Sequence, residues 1–272
     1  MTDIAQHVAV SQRVEIEDLD WALARRVGLT AQEVDCLRFF ADVEGQTVFY
    51  FLEVAKLQVA RDPDLLAFLT MWNYEEYFHA HAITRFMQEC GVAVDRARHT
   101  RVRAGARLRA RLEDLAQRLM ARLVPKRFVA LWMLWGALQE CLTMQAYEQI
   151  IRTTQNPVLA ELFRRIAKQE RRHFAYYFGQ ARERLADPRA ARFCRAIVQR
   201  FYAPVGSGVK REGESAELVA RLFPGARIFE VMRYIERRMG QLPGMAGLDA
   251  CTRWAARIQP ALPAPDAEPL AA

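Results

Sequence analysis

Apolar residues return every three or four positions through residues 33–61, 64–90, 106–123, 128–154 and 158–185, the repeat of a helix that buries one face. No run alternates with the period of a strand. The stops fall where such helices should begin or end: Asp62-Pro63, Gly91, Pro125, Asn156-Pro157 and Asp187-Pro188. Segments of this length extend about 40 Å at 1.5 Å rise per residue, and long helices joined by short connections predict a bundle. Beyond Asp187 the pattern breaks into shorter helical stretches at 189–202, 215–222, 226–239 and 248–258, interrupted by the polar loop APVGSGVKREGES. The end, PALPAPDAEPLAA, has the Pro and Ala composition of a disordered tail. The expected class is all-α: one domain over 1–259, with a bundle core at about 33–186, C-terminal helices at 189–258, and a disordered tail at 260–272.

Composition changes this picture little. Of the 272 residues, 52% are hydrophobic and 26% charged, which suits a chain with a sizeable core and excludes wholesale disorder. The longest apolar run, FVALWMLWGAL at 128–138, is well short of the roughly 20 residues of a membrane span. The start, MTDIAQHVAVSQRVEIEDLD, lacks the basic and then apolar halves of a signal peptide, so a cytoplasmic protein is expected. Five scattered cysteines form no CxxC pair, which argues against both a disulfide framework and a thiolate zinc site. The net charge of +7 is unevenly placed, since RARHTRVRAGARLRAR at 96–111 carries seven arginines and no acid. Such a stretch suits an acidic partner, or is simply a solvated face.

The chemistry lies in a repeated Glu-x-x-His. It occurs as Glu76-Tyr-Phe-His79 and as Glu170-Arg-Arg-His173, each inside a long predicted helix. Three residues along a helix bring both side chains to one face, so each motif can offer a carboxylate and an imidazole to one metal. Two further helices carry a glutamate in apolar surroundings, Glu44 in ADVEGQTVFYFL and Glu140 in LWGALQECLTM, although Asp42 and Glu53 on the first helix compete with Glu44. Four glutamates and two histidines from four helices make the ligand set of a carboxylate-bridged dinuclear centre. Four carboxylates balance two divalent cations, and an oxygen-rich set suits iron or manganese better than zinc. Of the doubled glutamate, Glu75 lacks the three-residue step to His79 and is expected on a neighbouring face. His81 is expected as a core or supporting residue, His7 and His99 on the surface, and Tyr147 in core packing, with a place along the cavity as the alternative.

These segments resemble the soluble acyl-ACP desaturases, the stearoyl-ACP desaturase group of the ferritin-like diiron superfamily. Trp72-Asn-Tyr-Glu75-Glu76-Tyr-Phe-His79 is similar to their W-x-x-E-E-x-R-H, Ile166-Ala-Lys-Gln-Glu170-Arg-Arg-His173 to their I-A-x-D-E-x-R-H, and Gln139-Glu140-Cys-Leu-Thr143 to their Q-E-x-x-T. Likeness runs from about 33 to 185 and continues weakly into LPGMAGLDACTRWA. The resemblance implies a ferritin-like four-helix bundle with additional helices at both termini. It further implies two iron ions, with manganese possible, held by Glu44, Glu76, His79, Glu140, Glu170 and His173, and a Thr143 that assists dioxygen activation. The activity it implies is insertion of a double bond into an acyl chain on acyl carrier protein, with electrons from a ferredoxin-like donor and a homodimeric assembly. Residues 96–111 would dock the acidic carrier or donor. One departure is Gln169, which stands where the family has an aspartate on the route of electron delivery. Two alternatives stay open: a diiron oxygenase that hydroxylates or N-oxygenates a metabolite, and an iron- or peroxide-handling protein without an organic substrate.

Overall fold

Each proline signal in the sequence begins a helix. In the computed structural model, which describes residues 4–55, 62–94, 119–207 and 212–259, Pro63, Pro125, Pro157 and Pro188 occupy first turns, where a missing N–H costs nothing. The residues before three of them are side-chain caps. Asp62 accepts from the N–H groups of Asp64 and Leu65, Asn156 from Val158 and Leu159, and Asp187 from Arg189.

The order is α1 Ile4–Ala9, α2 Trp21–Val27, α3 Ala31–Ala55, α4 Pro63–Glu89, α5 Pro125–Thr153, α6 Pro157–Leu185, α7 Pro188–Phe201, α8 Glu212–Leu222, α9 Arg227–Met239 and α10 Ala250–Ile258. No strand occurs among the described residues, so the all-α expectation holds. Residues 96–111, most of the helix expected at 106–123 and the tail at 260–272 lie outside the described residues. No helix among those described is long and apolar enough to cross a membrane.

The four long helices form two hairpin-like pairs, α3 along α4 and α5 along α6, and the pairs meet where α4 faces α6. The short helices cover this bundle: α1 and α2 lie on α4, α2 also on α6, and α7, α8 and α9 on α5. Aromatic side chains fill the interior. Phe40, Tyr147 and Phe163 meet edge to face at 4.9 to 6.4 Å between ring centres, and Phe68 stacks on Tyr176 at 3.8 Å. Each such fully buried side chain contributes about 1.5–3 kcal/mol. The α5–α6 pair approaches closely at Gly136, where a Cβ would fall within 2.8 Å of three ring carbons of Tyr177.

The N-terminal segment between α1 and α2 is tied to the bundle by polar contacts. Arg165 on α6 grips both carboxylate oxygens of Asp18 at 2.6 and 2.9 Å, and the buried Asn156 amide donates to the carbonyls of Ala24 and Gly28.

Candidate metal centre

The middle of the bundle holds charge where the surrounding pattern is apolar. Glu44 comes from α3, Glu76 and His79 from α4, Glu140 from α5, and Glu170 and His173 from α6, and every one is buried. They fall into two overlapping sets: Glu44, Glu76, His79 and Glu170, and Glu76, Glu140, Glu170 and His173. Within each set the ligand atoms lie within 4.8 Å of one another. Glu76 and Glu170 belong to both.

The geometry of the two shared carboxylates is that of bridges. Glu170 directs Oε2 to Nδ1 of His173 and Oε1 to Nδ1 of His79, each at 3.1 Å. Glu76 likewise places Oε1 3.1 Å from Nδ1 of His173 and Oε2 3.9 Å from Nδ1 of His79. The four unshared groups are each anchored from outside. Tyr147 donates its hydroxyl hydrogen to Glu44, and Trp72 Nε1–H donates to Glu140 at 3.2 Å. Nε2 of His79 meets Oε1 of Gln169 at 2.7 Å, and Nε2 of His173 meets Oε2 of Glu75 at 2.7 Å.

Packing so many acids together in a dry interior moves their proton affinities apart. Burial, reinforced by the neighbouring carboxylates, pushes Glu76 and Glu140 well above the usual carboxylate range and raises Glu44. Burial acts on Glu170 in the same sense, but the imidazoles of His173 and His79, each 3.1 Å away, outweigh it and hold that group low. Burial alone would lower His173, yet its contacts with Glu170, Glu75 and Glu76 raise it well above its ordinary value, and His79 follows more modestly.

The residues fit a pair of divalent ions. Nδ1 of His79 and Oε1 of Glu170, though 3.1 Å apart, are misaligned for a hydrogen bond, and both are buried atoms without a hydrogen-bond partner. Their lone pairs point into the space shared by the first set. The oxygen-rich donors, with one imidazole per set, suit iron or manganese.

Three expectations are corrected. Glu75 does not turn to a neighbouring face: it is fully buried and holds the imidazole of the opposite motif, with Arg172 on its other oxygen at 2.7 Å. Tyr147 does more than fill the core, because its hydroxyl is bound to Glu44. His81 is exposed and plays no supporting part. His7 is half-buried, with its ring edge-on to Tyr176; His99 and the side chain of Glu53 lie outside the described residues. Asp42 is buried but stands in neither set. Thr143 is buried one turn along α5 from Glu140.

A repeated signal could have found the outer layer. The residue before each Glu-x-x-His, Glu75 in one case and Gln169 in the other, is polar on an otherwise apolar face, and each binds the histidine of the other helix.

No family model and no curated protein matches the sequence. Among solved structures the chain is similar to two variants of an R2-like ligand-binding oxidase with an anaerobically reconstituted Mn/Fe cofactor. One is 13% identical, with a TM-score of 0.49 and coverage of 93% of this chain and 88% of that one. The other is 15% identical, with a TM-score of 0.47 and coverage of 93% and 89%.

Proposed function

We propose that this chain is a ferritin-like dimetal oxidoreductase that uses dioxygen. The observation that carries the reading is the pair of carboxylates, Glu76 and Glu170, each reaching both imidazoles from opposite helices. Glu44 and His79 would complete one metal position, Glu140 and His173 the other. Two iron or manganese ions bound there supply open coordination positions and the redox range to activate dioxygen.

The protein's own residues set the conditions. Glu76 and Glu170, standing in both sets, would offset the charge of two cations. Tyr147 and Trp72 fix the orientation of Glu44 and Glu140, so these ligands are preorganised. The Tyr147 hydroxyl, raised well above its ordinary value by burial and by the charge of Glu44, keeps its proton and so remains a hydrogen-bond donor to that carboxylate. Phe40 and Phe163 around Tyr147, and Phe68 edge-on to His173, keep bulk water from the site.

The finer reading is an acyl-ACP desaturase-like activity, with an acyl chain on a carrier as substrate and a ferredoxin-type electron donor, resting on the motif resemblance around Trp72, Glu140 and Glu170. Thr143 would assist at the metals, and the arginines of 96–111 would receive the acidic partner. Charge reversal at Arg107, Arg109 and Arg111 should then weaken turnover and donor affinity. An oxygenase that hydroxylates or N-oxygenates its substrate is the second reading, favoured by the neutral Gln169 in place of the family's acid. The deciding experiment loads the protein with Fe2+, supplies reductant and dioxygen with acyl carriers, and weighs the products. Loss of two hydrogens supports the desaturase, and gain of one oxygen the oxygenase. Uptake of iron far beyond two per chain, with no change in any carrier, would refute both.

A further inference from the structure

The two halves of the site carry the same kinds of ligand. Glu44 and Glu140 are both carboxylates with one outside donor each, and Glu76 and Glu170 belong to both sets, although Glu76 lies nearer His173, at 3.1 Å, than His79, at 3.9 Å. The difference lies behind the imidazoles. His173 is backed by the Glu75 carboxylate and His79 by the Gln169 amide.

Gln12, in the segment between α1 and α2, fixes both arrangements through its backbone. Its N–H donates to Oε1 of Glu75 at 3.3 Å, and its carbonyl accepts from Nε2 of Gln169 at 2.9 Å. A carbonyl can only accept, so the Gln169 amide must turn its N–H to Gln12 and its oxygen to His79. Nε2 of His79 therefore carries the hydrogen, and Nδ1 presents its lone pair to the carboxylates. Glu75 orients His173 in the same way, but it is a carboxylate, and its charge is shared with Arg172 on the other oxygen at 2.7 Å. A carboxylate behind an imidazole makes it a stronger donor to a cation, whereas an amide only orients it.

Resting on the dimetal reading, we propose that the two metal positions are unequal: the position of His173 and Glu140 binds a divalent ion more tightly than that of His79 and Glu44, and fills first. Glu75 and Gln169 act as positioning residues, and their different charge sets the order. Loss of an outer partner of a metal-bound histidine costs about 10–100-fold in affinity; because Gln169 still orients His79 and only the charge differs, the two constants should differ by about tenfold, the lower end of that range.

The test is a titration of the metal-free full chain with Co2+, followed by visible absorption and by calorimetry. Two steps are expected, separated by about tenfold. Glu44→Ala should keep the tight step alone, and Glu140→Ala the weak step alone. Glu75→Gln retains a hydrogen-bond acceptor for His173 while removing the charge, and should bring the two constants to within a few-fold. Two equal constants in the unaltered protein overturn the proposal, as does a separation that Glu75→Gln leaves unchanged. If that variant does not fold, the contrast between Glu44→Ala and Glu140→Ala still decides. Binding of no ion, or of one only, overturns the dimetal reading itself, a result distinct from two equal sites.

Discussion

Because Glu76 stands in both ligand sets, its removal should cost both metals, while removal of Glu140, which stands in one, should cost one. The magnitude follows from linkage. At a metal concentration a hundredfold above its dissociation constant, one bound ion stabilises the native state by about 2.7 kcal/mol, and two by about 5 kcal/mol. For a chain of this size each kcal/mol moves the midpoint by about 2–4 °C, so two ions should raise Tm by at least ~10 °C and one by about half of that. The assay is thermal unfolding with and without Mn2+, paired with elemental analysis of metal per chain. Each variant is compared with its own metal-free midpoint, since Glu76 is a burdened carboxyl whose loss changes that baseline. Glu76→Ala should lose nearly the whole metal-dependent rise, and Glu140→Ala, left with the weaker position, should keep somewhat less than half. A Glu76→Ala protein that still carries two ions with an undiminished rise would refute the reasoning, since a bridge cannot be dispensable to both positions it joins.

Other consequences are open to simpler measurements. Gly136→Ala gains about 1 kcal/mol of helix propensity but drives a methyl into the ring of Tyr177, and overpacking of this kind costs about 1–3 kcal/mol, so urea unfolding should find the variant no more stable and most simply less so. Asn156→Ala removes a cap and leaves the carbonyls of Ala24 and Gly28 without their donor; a loss of about 2 kcal/mol is expected in the same assay, and no loss would contradict the assignment of the cap. Glu236, buried on α9, is raised above the usual carboxylate range chiefly by burial, with the Thr252 N–H and hydroxyl acting against it. Its unfolded form titrates near 4.3, so below that pH both states are protonated and nothing is lost. As pH rises from there to the folded value, the unfolded chain ionises first and the native state loses stability. Glu236→Gln should therefore be the more stable protein at pH 7.5, with the difference vanishing near pH 4; an advantage that grows on acidification would contradict this sign.

The bundle was legible because its signals are local. A three-and-four repeat and a Pro after Asp or Asn act within a few residues, and each such stop became a helix start. The six candidate ligands were legible for the same reason, as two Glu-x-x-His steps and two isolated acids on apolar faces. The layer around them was harder. Glu75 reaches His173 across 98 positions, Gln169 reaches His79 across 90, and Tyr147 reaches Glu44 across 103, and no short spacing encodes a partner on another helix. The three-residue step separates Glu76 from Glu75, which stands in neither ligand set, but says nothing of where Glu75 goes. It faces the core all the same, with its target on α6 rather than in its own motif.

The crossed pairing of Glu75 with His173 and of Gln169 with His79 also bears on how the chain finds its fold. Where α4 meets α6, much of the seam is made of directional bonds rather than interchangeable apolar knobs. Sliding one helix by a single residue would rotate its side chains by about 100° and break both crossed bonds at once, whereas leucines could repack. A lone polar residue fixes alignment in coiled coils by the same logic. The site thus serves as a vernier between two helical hairpins, specifying their register before any cation arrives.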